Sequence, residues 1–249
     1  MRLRALISRR WLLSTVLVVI GMGVMVRLGF WQLDRLAQRR AANALVQSRL
    51  DAPPVDLTAE PLPLEPDDLN LRTGTASGVF DFEREISLRN EAYQGQPGVH
   101  LLTPLVLADG RALLVDRGWL PYEQSQPEQW AAFHGAAQAE VAGMIRTAQP
   151  TPAGADLPPV PELEWFRVDI DAIQRQMPYS LLPVYLQAGP ATNAGDALPV
   201  TELPAIELSE GPHLGYAIQW YLFVVILGVG YVRFVMRQNP ALSGEKTTL

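Results

Sequence analysis

The sequence predicts an α+β protein in which two transmembrane helices flank an extracytoplasmic, mostly antiparallel β domain. Three observations carry this. Two long apolar runs lie near the ends of the chain. The segment between them is acidic while their outer flanks are basic. That acidic segment alternates short apolar stretches with turn residues, the signature of strands. Of 249 residues, 48% are hydrophobic and 18% charged, against about a quarter charged in an ordinary soluble domain. The missing charge belongs to the two end runs.

Residues 1–10 carry Arg2, Arg4, Arg9 and Arg10 and are expected in the cytoplasm. Trp11 to Trp31 then forms the first span. It is uncharged as far as Val26 and resumes after Arg27 as LGFW. A helix needs about 20 apolar residues to cross the hydrocarbon core, and Arg27 reaches it if its side chain snorkels outward or meets a partner. A cleaved leader would have a shorter core and a small-x-small site, and none stands near Val26. The run is therefore read as a retained anchor.

Residues 32–213 make the extracytoplasmic domain. Leu33 to Leu50 continues as a helix rich in Ala, Leu, Arg and Gln. Pro53, Pro54, Pro61, Pro63 and Pro66 impose an irregular crossing. LRTGTASGVF, EISLRN, GVHLLTPLVL, RALLVDRGWL and AEVAGMIRT read as strands, the third and fourth joined by a hairpin turn at Ala108-Asp109-Gly110. PTPAGADLPPVP, residues 150–161, is a surface loop. WFRVDI is expected as a strand, DAIQRQM as a short helix and LPVYLQAG as the last strand. This order suggests a small sheet or partly open barrel.

Residues 214–232 form the second span, LGYAIQWYLFVVILGVGYV, with Gln219 its one strongly polar side chain. Tyr216, Trp220, Tyr221 and Tyr231 supply an aromatic belt. Residues 233–249, with Arg233, Arg237 and Lys246, return to the cytoplasm. Twelve of the twenty basic residues lie between the spans, against twenty-five of the twenty-six acidic ones. Basic flanks stay inside, so both termini are expected in the cytoplasm and the acidic domain outside.

The chain has no cysteine. That excludes disulfides, thiolate metal sites and covalent c-type haem. A net charge of −6 gives no electrostatic footprint for nucleic acid. No HExxH, serine triad or phosphate-binding glycine loop is present, so the chain is not read as an enzyme.

His213 is the most informative residue. Ser209-Glu210-Gly211-Pro212 marks a helix start, which puts His213 in the first turn at the outer membrane surface. If both termini are inside, Gly29 to Arg35 lies at the same depth. Trp31 and Arg35 share one helix face there. Aromatic rings, an imidazole and guanidinium groups at a membrane boundary suit a flat, apolar, anionic molecule such as haem. The same residues are also ordinary interface anchors, and spacing alone leaves both readings open. His100 and His134 read as structural histidines. Asp116-Arg117-Gly118-Trp119 reads either as a strand end with Trp119 plugging the core, or as an Arg/Trp contact surface.

Three stretches together give the chain its resemblance. Gly29-Phe30-Trp31-Gln32-Leu33-Asp34-Arg35 leaves the first span. Val115-Asp116-Arg117-Gly118-Trp119 lies in the domain. Pro212-His213-Leu214-Gly215-Tyr216-Ala217-Ile218-Gln219-Trp220-Tyr221 enters the second span. In this order they resemble the Surfeit locus protein 1 family, assembly factors of cytochrome c oxidase, with Gly215 a mild departure and residues 120–210 a looser match.

The resemblance implies a membrane-anchored assembly factor in the bacterial inner membrane that handles haem a and aids its insertion into the oxidase catalytic subunit. It implies contact with the haem a synthesis machinery. His213 becomes a candidate axial ligand to the haem iron, with Trp31, Arg35, Arg117, Trp119 and Trp220 as pocket or contact residues. The competing expectation is a haem-free scaffold for the catalytic subunit. A sensor ranks lower, because the ten residues before the first span and seventeen after the second leave no room for an output domain.

Overall fold

The computed structural model describes residues 6–152, 160–189, 198–203 and 205–238. Arg2, Arg4 and Lys246, and most of the proline-rich loop expected at 150–161, lie outside the described residues. The chain divides into two compact units. One takes the residues up to Leu45 and those from Glu207 onward; the other is Val46–Ile206.

The first unit is a helical hairpin. Helix α1 runs Leu12–Leu50 without a break, since no proline or helix-ending turn interrupts its Ala/Leu-rich sequence. Helix α4 is His213–Gln238. Both are long and apolar enough to cross a membrane. They pack antiparallel, and the seam between them can be followed residue by residue. Trp11 meets Phe234 edge-on, with ring centroids 5.6 Å apart. Thr15 donates its hydroxyl to Leu6 O at 2.8 Å and lies 2.7 Å from the Tyr231 hydroxyl. Small residues admit close approach. A Cβ on Gly228 would sit 3.2 Å from the Met22 methyl, and one on Gly29 only 2.7 Å from the Tyr221 ring. Gly29, Gln32 and Leu36 are the buried residues of α1, at i, i+3 and i+7, one stripe of a helix.

The second unit is an eight-stranded sheet. Its strands are β1 (Val55–Asp56), β2 (Thr73–Phe80), β3 (Ile86–Tyr93), β4 (Gln96–Val106), β5 (Ala112–Pro121), β6 (Gln138–Thr147), β7 (Glu164–Trp165) and β8 (Leu181–Ala188). Their order is β1-β2-β6-β8-β5-β4-β3-β7, and β2 also pairs with β4. Five strands therefore close a ring, β2-β6-β8-β5-β4. The closing contact is short, Val79 with Val106 and Phe80 with Leu105. All ring pairings are antiparallel except β5 with β8.

The continuous apolar run of β5 is explained by burial on both faces. Leu113 and Val115 join Leu57, Leu105, Ile145, Val184 and Leu186 in one core. Ala112 and Leu114 face a second core with Trp165, Ile170 and Ile173. The latter two stand on helix α3 (Ile170–Gln174), capped by Asp169, whose carboxylate accepts from Ala172 N–H at 3.0 Å. Each fully buried leucine here is worth ~1.5–3 kcal/mol. The strand expected over WFRVDI is thus reduced to Glu164–Trp165, because Asp169 caps a helix that begins at Ile170, one residue before the expected Asp171. A further short helix, α2, is Pro66–Leu69.

Candidate functional site

The helical hairpin brings the two anticipated turns together. His213 Nδ1 lies 2.8 Å from Gln32 Oε1, although 181 positions separate them. Gln32 is buried and His213 half-buried. Among the described residues, His213 Nε2 has no hydrogen-bond partner.

The chain enters α4 tied to α1 by side chains. Arg40 holds Glu210 through two bonds, Nε to Oε1 at 2.8 Å and Nη2 to Oε2 at 2.9 Å. The charges favour the ionised pair, raising Arg40 and lowering Glu210 from their ordinary values through this mutual hydrogen bonding. Asn43 donates to Leu208 O at 2.9 Å and Ser209 O at 3.3 Å. Gly211 turns the chain at φ +69°, a left-handed conformation that favours glycine, and its N–H donates to Ser209 Oγ at 3.1 Å. His213 is held by a braced loop rather than by a free helix end.

At about 100° per residue, Trp31 and Arg35 rotate to one flank of Gln32, while Trp220 returns nearly to the direction of His213, about two turns further along α4. Gly29 and Tyr221 meet on the opposite flank. Trp31 is exposed, Arg35 donates to Gln38 Oε1 at 2.9 Å, and Trp220 packs edge-on against Phe223.

Arg117 and Trp119 belong to the sheet unit. The pairing of β4 with β5 slips between Leu101 and Leu102, which face Gly118 and Asp116 in turn. Arg117 is the extra residue of this bulge, and bulges re-aim side chains. Gly118 supplies φ +119°, and its N–H donates to Asp116 Oδ1 at 3.0 Å. Arg117 Nη1 reaches Glu85 Oε1 at 2.9 Å, its Nη2 bonds Phe133 O, and its guanidinium stands 5.1 Å from the Phe82 ring centroid. Glu85 also takes the Thr103 hydroxyl and lies 3.1 Å from His134 Nε2. Trp119 is buried, its indole N–H without a partner among the described residues and packed on Gly98.

A cavity of about 360 Å³ lies in the same unit, lined by Glu91, His100, Asp116, Trp119, Arg146 and Tyr185 among others. His100 Nδ1 is 2.9 Å from both Asp116 oxygens. Burial works against the imidazolium, but the Asp116 carboxylate and the Glu91 charge outweigh it and raise His100 above its ordinary value.

Gln32 holds a place that the sequence does not single out, since it stands there only within the stretch Gly29 to Arg35. A polar uncharged side chain at the same depth as His213 was the available signal.

Residues 19–225 match the model of the SURF1 family. A SURF1-like protein of Rickettsia felis is 24% identical over 229 residues, spanning 91% of this chain and 97% of the relative. A SURF1-like protein of Monosiga brevicollis is 26% identical over 244 residues, 94% of this chain and 89% of the relative. Human Surfeit locus protein 1 is 26% identical over 236 residues, 86% of this chain and 75% of the relative.

Proposed function

This chain belongs to the SURF1 family, and on that premise we propose that it is a membrane-anchored assembly factor for cytochrome c oxidase that binds haem a and aids its transfer to the catalytic subunit. In this reading the hairpin spans the bacterial inner membrane with both termini in the cytoplasm, as the basic flanks require. Haem a arrives from its synthesis machinery as cargo. The single observation that supports this most is the pairing of His213 with Gln32 at 2.8 Å, which sets an imidazole at the head of α4 with its second nitrogen unpartnered among the described residues.

The residues fit the group. A haem iron takes an imidazole nitrogen as ligand, and His213 supplies an imidazole. Trp31 and Trp220 supply apolar aromatic surface, and Arg35 a cation for a propionate. Arg117 and Trp119 belong to the sheet unit, and in the same proposal they are contact residues of that unit. Arg117 already gives donors to Glu85 and Phe133 O, so its replacement should act through the shape of that domain. That would be the signature of the scaffold reading, in which the domain steadies the catalytic subunit without haem.

The test is complementation in a host lacking its own family member. Wild type should restore haem a content in the oxidase, and His213→Ala should leave the catalytic subunit haem-poor. Full restoration by His213→Ala, with loss on Arg117→Ala, would favour the scaffold.

A further inference from the structure

The bond that holds His213 also decides what that side chain presents. An amide oxygen only accepts a hydrogen bond. With Gln32 Oε1 at 2.8 Å from Nδ1, a proton sits on Nδ1, and in the neutral ring Nε2 then carries the lone pair. A histidine that ligates a metal gives its other ring N–H to a fixed acceptor, which sets the tautomer and the ring plane. Gln32 has the properties of such an acceptor. It is buried at 9% exposure, and it stands one turn from Gly29, which is packed tightly against Tyr221.

A second observation concerns the other ring edge. Gly211 passes beside it, and a Cβ there would lie 3.4 Å from His213 Cδ2 and 3.5 Å from Nε2. A Cβ at 211 would thus stand in van der Waals contact with the ring edge that carries Nε2. The left-handed backbone at this position admits glycine easily and other residues rarely. The loop is pinned there by Arg40 and Asn43.

We infer that Gln32 is the positioning residue that fixes His213 in the Nδ1–H tautomer, and that Gly211 keeps the Nε2 edge clear, so that the hairpin presents a preset nitrogen ligand to a planar metal complex before that complex arrives. The inference deepens the haem reading and rests on it for the identity of the metal complex, but not for the tautomer.

The experiment is nitrogen NMR of the detergent-purified full chain labelled with 15N-histidine, without haem. There are three histidines, and the His213 signals are those lost in His213→Ala. The expected result is a protonated Nδ1 in wild type and in Gln32→Glu, whose carboxylate accepts the same bond, with Nε2 unprotonated in wild type. Gln32→Leu should shift the population toward protonated Nε2. Titration with ferric haem should then show about 10–100-fold weaker binding for Gln32→Leu, with Gln32→Glu largely restored. Gly211→Asn should weaken haem without moving the tautomer. An unprotonated Nδ1 in wild type, or an unchanged tautomer in Gln32→Leu, overturns the inference. A tautomer that behaves as expected beside haem binding indifferent to His213→Ala refutes the haem reading and leaves Gln32 in its role.

Discussion

At the scale of single residues, the sheet unit depends on Glu85. Its carboxylate is buried and serves Arg117, Thr103 and His134 together. Removing one member of a buried ion pair costs about 3–5 kcal/mol, because the partner is left as an uncompensated charge. Glu85→Ala should therefore lower the thermal midpoint of the purified protein severely, and a change of a degree or two would contradict this account of the cluster. His100 makes a pH-dependent contribution. Its folded value is raised by Asp116 and Glu91 over the opposing effect of burial, so the folded state holds this proton more tightly than the unfolded chain. That stabilisation is complete below about 6.5, the unfolded value, and is lost as pH rises through the folded value. Wild type should lose thermal stability over that window, and His100→Gln should flatten that loss. His213 was legible in the sequence because a histidine beside a helix-start motif at a span boundary is conspicuous. Gln32 was not, since its role depends on which of several polar residues faces the seam, and rotation about a helix is set by packing.

At the scale of elements, periodicity and turn chemistry carried most of the reading. The hairpin at Asp109-Gly110 forms as its residues require, with Gly110 at φ +86°. The helix expected from Leu33 to Leu50 is the direct continuation of the first apolar run. What periodicity could not reveal was ring closure, because β2 meets β4 through only two residue pairs. Gly78 sits at that junction. A Cβ there would strike Val106 O and press on Leu105. Gly78→Ala should destabilise the sheet unit by about 1–3 kcal/mol, the usual range for overpacking. Unfolding by denaturant would check it, and a neutral result would mean the closure is slack. The bulge at Arg117 was equally hidden. Its motif reads as a plain strand end, and only the slipped register shows that Arg117 is turned toward Glu85.

At the scale of the whole molecule, contacts divide the chain at Val46 and Glu207, inside the 32–213 bounds expected from charge and hydropathy. The two apolar runs became one helical unit, and the acidic middle became a sheet unit with its own core. Distance in sequence was the obstacle to reading the site. Only the antiparallel return of α4 along α1 sets Gln32 beside His213. Gly29 makes that approach possible, so Gly29→Leu should part the helices at this level and abolish whatever His213 binds, while the sheet unit keeps its circular-dichroism signature.

The most direct test is the visible absorbance spectrum of the detergent-purified chain, expressed where haem a is being made. Wild type should carry a Soret band that His213→Ala weakens or removes. A wild-type protein without that band, or a band indifferent to the substitution, would contradict the proposal that this hairpin carries haem through His213.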